Sequence, residues 1–172
     1  MEIKVVLHNI RSAHNVGSIL RTAEGFGVKQ VLFSGYTPRY HDQNLLPHLR
    51  DKLDKQIAKT ALGSENLVEP YSSGDILSDL KKLKEGGWQI IGLENNIEDK
   101  RLLELGSEMM YGKITDQVVL VLGEEVNGIS DSLYGVIDYF VEIPMRGKKE
   151  SFNVSVATGI ALFELTKNRQ LG

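Results

Sequence analysis

The sequence predicts an α/β domain in which helices flank a largely parallel β-sheet. Short runs rich in β-branched and other apolar residues recur along the chain, and they alternate with stretches whose apolar residues have helical spacing. The runs carry few polar side chains, which indicates strands that are buried on both faces and paired in parallel. Because 172 residues suit one compact domain, we expect residues 1–172 to form a single unit.

Each predicted element follows from a local pattern. Runs of β-branched and aromatic residues predict six strands, Ile3–Leu7, Gln30–Phe33, Asn66–Glu69, Trp88–Leu93, Val118–Leu122 and Tyr139–Ile143. Helical spacing predicts five helices, Asn15–Gly25, Arg50–Ala61, Gly74–Lys84, Ser130–Val136 and Asn153–Asn168. Residues 94–116 lack a clear period, and we expect a turn, a short helix and a loop there.

Composition limits both the chemistry and the location. The chain has no cysteine, which excludes disulfides, zinc–thiolate sites and a thiol nucleophile. The apolar run near the start, Val5–Leu7, is broken by His8 and is too short for a signal peptide or a membrane span. We therefore expect a cytoplasmic protein with no membrane partner.

The charge pattern points two ways with respect to nucleic acid. The formal net charge is −3, whereas proteins that bind phosphates usually carry a basic surplus. Two glycine-containing segments nevertheless concentrate basic residues and contain few acids. These residues are Arg11, His14 and Arg21 in the first segment, and Arg146, Lys148 and Lys149 in the second. They form either a basic mouth for RNA or an ordinary solvated surface.

The common glycine-rich nucleotide motifs are absent. No G-x-G-x-x-G follows the first strand, which removes support for a dinucleotide-binding enzyme. Gly123 and Gly128 have the spacing of a phosphate-binding P-loop, but Ile129 stands where that loop needs its lysine. An NTPase is therefore disfavoured.

Three other segments combine features that packing alone does not require. Residues 9–27 form a polar loop that enters a helix, with Asn15 as the predicted N-cap and Arg21 just beyond the apolar stripe. In residues 118–130 an apolar strand runs into a glycine turn, where Gly123 would let a ligand approach the backbone. The adjacent Glu124 and Glu125 should point in different directions, which disfavours a paired-carboxylate acid–base site.

The third segment, residues 143–165, joins a basic loop to an apolar helix. The strand ends at Pro144, a loop with arginine, glycine and two lysines follows, and Ser151 or Asn153 caps the helix. That helix is apolar around most of its circumference. It must be covered on several sides, by its own sheet and by a second copy, so we expect a homodimer.

Together these segments resemble the motifs of the SPOUT superfamily, specifically its SpoU or TrmH-type RNA 2′-O-ribose methyltransferases. The first resembles N-x-R-[SN]-x-x-N-x-G-x-x-x-R-T-x-x-x-F-G, the second L-G-x-E-x-x-G-[IL]-S, and the third I-P-M-x-G followed by S-[LF]-N-V-S-V-A. All three occur in order and span nearly the whole chain. The resemblance implies a deep C-terminal trefoil knot, S-adenosylmethionine as the cofactor, and a homodimer whose active site uses both subunits.

The resemblance also assigns residues to roles. It implies catalytic roles for Arg21, Asn15, Glu125, Ser151 and Asn153. It implies cofactor contacts for Leu122, Gly123, Ile143, Met145 and Phe152, the last in place of the commoner leucine. The RNA-binding candidates are Arg11, His14, Arg146, Lys148 and Lys149. No metal is needed for the chemistry that the resemblance implies.

The implied reaction moves a sulfonium methyl group to a ribose 2′-oxygen of transfer or ribosomal RNA and removes one proton. The family proposal that the arginine acts as a base conflicts with a guanidinium that stays protonated in proteins. Arg21 as a base and Arg21 as a phosphate-positioning group are therefore both open. Two other functions are possible, a knotted paralogue that binds RNA or cofactor without catalysis and an unrelated nucleotide-binding module.

Overall fold

The computed structural model describes residues 1–167, and its centre is a seven-stranded sheet in which every pairing between strands is parallel. The strands are β1 (Glu2–His8), β2 (Gln30–Ser34), β3 (Glu69–Ser72), β4 (Gln89–Leu93), β5 (Leu102–Glu104), β6 (Gln117–Leu122) and β7 (Tyr139–Glu142). The helices are α1 (Ala13–Gly25), α2 (Pro47–Ala61), α3 (Ile76–Glu85), α4 (Glu108–Lys113), α5 (Asp131–Tyr134) and α6 (Val154–Thr166). The predicted α/β fold with helices around a parallel sheet is confirmed.

The order of the strands differs from their order in the sequence. Across the sheet it is β3-β2-β1-β6-β4-β7-β5, so β6 is inserted between β1 and β4. The last residues of the central strands share one register, because Leu122 pairs with both Leu7 and Leu93, and Leu93 pairs with Val141. The loops that follow β1, β6, β4 and β7 therefore meet at one edge of the sheet, where ligands bind in open α/β folds.

The two faces of the sheet bury different helices. Val118, Leu120 and Leu122 of β6 belong to a core shared with α1, α2, α4 and α6, whereas Val119 and Val121 pack towards α3 and α5. This alternation follows from the two-residue period of a strand. Within residues 1–167 no helix is long and apolar enough to cross a lipid bilayer.

The two edge strands depart from the predicted elements. The strand predicted at Asn66–Glu69 lies three residues later, at Glu69–Ser72, and Ser64–Asn66 forms a 3-10 turn instead. Pro70 weakens the strand pattern there, but an edge strand tolerates proline. The region after β4 contains the expected short helix, α4, and also β5, whose three residues are too few to show a period.

The caps of α1 and α6 refine the predicted helix starts. Ser12, not Asn15, is the N-cap of α1, because its extended backbone (φ −86°, ψ 115°) lets its side chain accept from the Asn15 N–H. Asn15 instead lies in the first turn, with its side chain free for other partners. Asn153 caps α6 by accepting from the Ser155 N–H. The predicted last residue of this helix, Asn168, lies outside the described residues.

Candidate active site

A cavity of about 310 Å³ opens at the sheet edge where the central strands end. Its lining comes from three loops, those after β4, β6 and β7, and from the first turn of α6. The apolar part of the lining is Leu93, Leu122, Val126, Ile143, Phe152, Val154 and Ala157. The acidic part is Glu94, Glu124, Glu125 and Glu150, and no basic side chain contributes.

A chain of hydrogen bonds joins the three predicted motifs at the mouth of this cavity. Asn15 donates from Nδ2 to Glu125 Oε1 at 3.1 Å, and its Oδ1 accepts from Asn153 Nδ2 at 3.3 Å. The other Glu125 oxygen accepts from the Arg11 backbone N–H at 3.2 Å. The carboxylate and two amides therefore connect the loop after β1, the loop after β6 and the start of α6.

Glu124, the neighbour of Glu125, has a different set of partners. It forms an ion pair with Arg11, and its Oε2 accepts from Asn127 Nδ2 at 2.6 Å. The hydrogen bond from Asn127 and the nearby Arg11 charge lower the pKa of Glu124. The two acids thus bind different groups, which supports the expectation that they do not form an acid–base pair.

The loop after β4 supplies polar groups that the motif analysis did not single out. The Glu94 carboxylate accepts from the Ile129 N–H at 2.7 Å, and burial raises its pKa. Asn95 binds the Ile143 backbone twice, donating to its oxygen at 2.8 Å and accepting from its nitrogen at 3.0 Å. Asn96 donates to the Glu150 carbonyl at 3.0 Å. This loop therefore holds both neighbours in place, the glycine turn and the loop after β7.

These residues could have been found from the sequence. Three polar residues, Glu94, Asn95 and Asn96, directly follow a buried strand of a parallel sheet. The same rule that drew attention to Gly123, that ligands bind beyond the carboxyl ends of strands, applies to them equally. The motif analysis did not select them because they begin the segment in which apolar residues show no helical or strand period.

Gly123 is buried at the cavity, but its close contact is with the protein itself. A Cβ at this position would overlap the Gly128 carbonyl group and the Ile129 nitrogen. Paired backbone hydrogen bonds of 2.9 Å between Glu124 and Gly128 close the turn. Glycine is therefore required for the turn to close, and a larger residue would displace the turn before it met any ligand.

The other residues with an implied cofactor role fall into two groups. Leu122, Ile143 and Phe152 line the cavity, and Phe152 is 42% exposed. Met145 does not line it and lies half-buried in the loop after β7. Ser151, assigned a catalytic role by the resemblance, lies exposed at the rim.

Arg21 and the basic residues lie outside the cavity. Arg21 is exposed on α1, and its guanidinium makes no hydrogen bond or ion pair within residues 1–167. His14 is exposed on the first turn of α1, and Arg146, Lys148 and Lys149 are exposed in the loop after β7. Arg11 is the one RNA-binding candidate that joins the site through an ion pair among the described residues. That part of the chain also holds no cluster of three or more histidine or acidic residues suited to a metal ion.

Comparison with known proteins identifies one family. Residues 2–163 match the model of the SpoU rRNA Methylase family. The 23S rRNA (guanosine-2′-O-)-methyltransferase RlmB of Pseudomonas putida is 29% identical over 167 residues, an alignment that covers 97% of this chain and 59% of that protein. The chain thus spans about three fifths of the length of this curated relative.

Solved structures share the fold. The A. aeolicus TrmH/SpoU tRNA modifying enzyme has a TM-score of 0.77 and 26% identity, covering 98% of this chain and 75% of that one. The SpoU methyltransferase AviRb from Streptomyces viridochromogenes, solved in complex with AdoMet, has a TM-score of 0.76 and 21% identity, covering 99% and 59% of the two chains. Because residues 2–163, nearly the whole chain, match the family model, the chain belongs to the SpoU rRNA methylase family.

Proposed function

We propose that this chain is an S-adenosylmethionine-dependent methyltransferase that acts on a ribose 2′-hydroxyl of transfer or ribosomal RNA. The observation that carries the proposal is the Glu125–Asn15–Asn153 hydrogen-bond chain at the cavity mouth. It brings one polar residue from each motif to the place where the central strands end. Membership of the SpoU family and the RNA methyltransferase relative support the same function.

The cavity has the size and charge to hold the cofactor. Its volume of about 310 Å³ lies at the lower end of small-molecule sites. When bound, S-adenosylmethionine supplies an electrophilic methyl group on a positively charged sulfonium. Four carboxylates and no basic side chain line the cavity. Arg11, which is not part of the lining, pairs with Glu124, and the other three carboxylates suit a cationic ligand and disfavour a nucleotide phosphate. Leu122, Ile143 and Phe152 would hold its apolar parts, and the backbone of the Gly123 turn would lie against it.

The RNA side of the reaction falls to α1. The exposed Arg21 guanidinium presents several N–H donors in a planar fork, which suits two-point binding of a phosphate oxygen pair. Because a guanidinium stays protonated, we assign Arg21 to positioning the phosphate and ribose, and the hydroxyl proton leaves to water or to phosphate. Asn15 and Glu125 keep the adjoining loop in place through their hydrogen bond.

A homodimer is part of the proposal, because α6 leaves apolar side chains uncovered. Val156 and Phe163 are 50% and 53% exposed and lie seven residues apart, which is two turns of one helix face. The exposed Phe152 precedes the same helix at the cavity rim. A second copy that covers this face would also approach the cavity.

The deep C-terminal knot of the SPOUT superfamily is the remaining structural proposal. It is supported by the late strands β6 and β7, which lie between earlier strands, and by the bonds from Asn95 and Asn96 to the loop after β7. Pulling the chain from both ends in a single-molecule force experiment should leave a tightened knot. The fully extended chain would then be shorter than its residue count requires, whereas full extension would contradict the knot.

The proposed function is tested by binding and by transfer. Calorimetry should show S-adenosylmethionine binding in the presence of a chelator, with little binding of ATP, which carries the same adenosine on an anion. Incubation with labelled cofactor and bulk tRNA or rRNA, followed by nucleoside mass spectrometry, should yield a 2′-O-methylated nucleoside. Cofactor binding without transfer to any RNA would favour the silent paralogue. No cofactor binding would overturn the proposal.

A further inference from the structure

Helix α2 carries a row of lysines on its outer side. Lys52, Lys55 and Lys59 are all exposed, and their spacing of three and four residues places them on one side of the helix. None of them forms an ion pair with another residue of the described chain. One nearby acid, Asp54, is occupied by His41, which donates to it from the backbone N–H and lies within 2.8 Å of it through Nδ1. The row is therefore a local positive field on a chain whose net charge is −3.

The row forms one wall of an open groove. The lining residues are His14, His48, Asp51, Lys52, Lys55, Gln56 and Lys59, around a volume of about 640 Å³. Every one of these side chains is polar, and one of them is acidic. Its three lysines outnumber Asp51, the one acid among its lining residues, so the groove carries a net positive charge. A chain of phosphates needs only the positive charges and donors that it has.

The groove lies against the start of α1. Thr60 donates from its hydroxyl to the His14 carbonyl at 2.8 Å, which ties the end of α2 to the first turn of α1. At Gly17, one turn later, the two helices are so close that a Cβ would overlap the Ile57 carbonyl and the Thr60 hydroxyl. His14 thus belongs both to the groove and to the helix that carries Arg21.

His14 and Arg21 share the solvent-facing arc of α1. They are seven residues apart, so they lie on the same side of the helix, separated by about 10 Å along its axis. Gly17 faces α2, and Thr22 faces α6, since a Cβ at Gly159 would lie 3.6 Å from its methyl group. The arc between these two contacts is open to solvent and leads from the lysine row to Arg21.

We infer that the α2 groove binds the phosphate backbone of the RNA strand whose target ribose lies at Arg21. The inference rests on the proposed function and adds a binding surface to it: Lys52, Lys55 and Lys59 contact phosphates, and His14 continues the track towards Arg21. The contacts go to the backbone, so they hold the strand without reading its sequence. RNA binds in the groove, away from the cofactor cavity, so it leaves cofactor affinity unchanged.

The test compares two double variants of the 172-residue chain. Lys55→Gln/Lys59→Gln removes two charges from the groove, and Lys81→Gln/Lys82→Gln removes two exposed charges from α3 on the opposite face of the sheet. Affinity for bulk tRNA and for fragmented ribosomal RNA is measured by fluorescence anisotropy over a range of salt concentrations. The groove variant should bind about tenfold more weakly, and its log–log salt slope should fall by roughly 1.4, the value for two lost single-strand phosphate contacts. The α3 control should match the wild type.

Cofactor affinity and methyl transfer, measured on the same proteins, separate the two proposals. If the wild type transfers methyl groups and the groove variant keeps its RNA affinity and salt slope, the inference about the groove is overturned and the proposed function stands. Loss of RNA affinity in the groove variant, with no transfer by any protein, would support the groove and contradict the enzyme. Polyglutamate that binds the wild type as tightly as RNA, and loses the same affinity in the groove variant, would make the groove an acidic-polypeptide surface and overturn the inference.

Discussion

Helices α1 and α6 occupy similar positions but present different surfaces. Each has 13 residues, each begins beside the cavity, and the two pack together on one face of the sheet. A hydrogen bond of 3.3 Å from Asn153 to Asn15 joins their first turns. The exposed arc of α1 carries His14 and Arg21, whereas that of α6 carries Val156 and Phe163.

The difference separates two kinds of partner on neighbouring helices. An exposed arc that carries an arginine and a histidine gains little from an apolar partner and suits phosphates. An exposed apolar pair on a helix that is already buried on its other sides needs cover from another protein surface. We therefore expect α1 to face RNA and α6 to face a second copy of the chain.

The largest expected effect is at Arg21. Arg21→Ala should slow single-turnover methyl transfer on the true RNA by roughly 100- to 1,000-fold, because a positioned donor for the substrate is lost. Arg21→Lys should also lose activity at every pH, since lysine cannot reproduce the planar fork. Cofactor affinity, measured in parallel, should change little. Near wild-type turnover in Arg21→Ala would remove Arg21 from the mechanism, and a lysine variant that outperforms wild type at low pH would support the base.

Placing a charge on the exposed apolar side of α6 tests whether that side forms the dimer interface. Phe163→Lys should raise the dimer dissociation constant by roughly 100-fold or more, as expected when a central aromatic contact is replaced by a charge. Light scattering at micromolar concentration reports the change in mass. Leu67→Lys, which alters a leucine outside α6 that is more exposed than Phe163, is the control and should leave the mass unchanged. A wild-type protein that is monomeric at these concentrations would contradict the assigned role of α6.

An added methyl group should destabilise the side of α1 that packs on α2 but not the exposed end of the helix. Gly17→Ala would push a methyl group into the Ile57 carbonyl and should lower the free energy of unfolding by about 1–3 kcal/mol. Gly25→Ala, at the end of the same helix, has no other atom within 4 Å of the new Cβ and should raise it by about 0.4–1 kcal/mol. Urea denaturation of both variants measures the contrast. Equal effects would mean that α1 and α2 are not in close contact.

The smallest expected effect is at Asn15, in the first turn of α1, where its side chain bonds to Glu125 and Asn153. Asn15→Asp places a second carboxylate beside Glu125, and the repulsion should lower the free energy of unfolding by about 1 kcal/mol at neutral pH, since the pair is exposed. The loss should shrink as the salt concentration rises, because salt screens the repulsion between exposed charges. Asn15→Ser breaks the same hydrogen bonds without adding charge, so its effect should be independent of salt. A salt-independent loss in Asn15→Asp would show that Asn15 and Glu125 are not in contact in solution.

Much of the fold could be predicted because its signals are local. The strand at Val118–Leu122 and the helix that begins after Asn153 are uninterrupted apolar or capped patterns, and both form where predicted. The cap of α1 was misplaced because Ser12 and Asn15 are both good caps, and the choice depends on the backbone dihedrals of Ser12. The strand Leu102–Glu104 was missed because three residues cannot show a period, and it is held by pairing with β7.

The sequence by itself determined the three motifs, the family and the residue types that meet at the site, because these are properties of short segments. Tertiary structure decided which of those residues touch. Glu125 and Asn15 are 110 residues apart in the chain, and Asn153 and Asn15 are 138 apart. Glu125 reaches Asn15 because β6 is inserted beside β1, and Asn153 reaches it because α6 packs on the same face of the sheet as α1. No local pattern encodes the order of strands in a sheet. The same holds for Lys59, which lines one groove with His14 of α1 because α2 packs against Gly17.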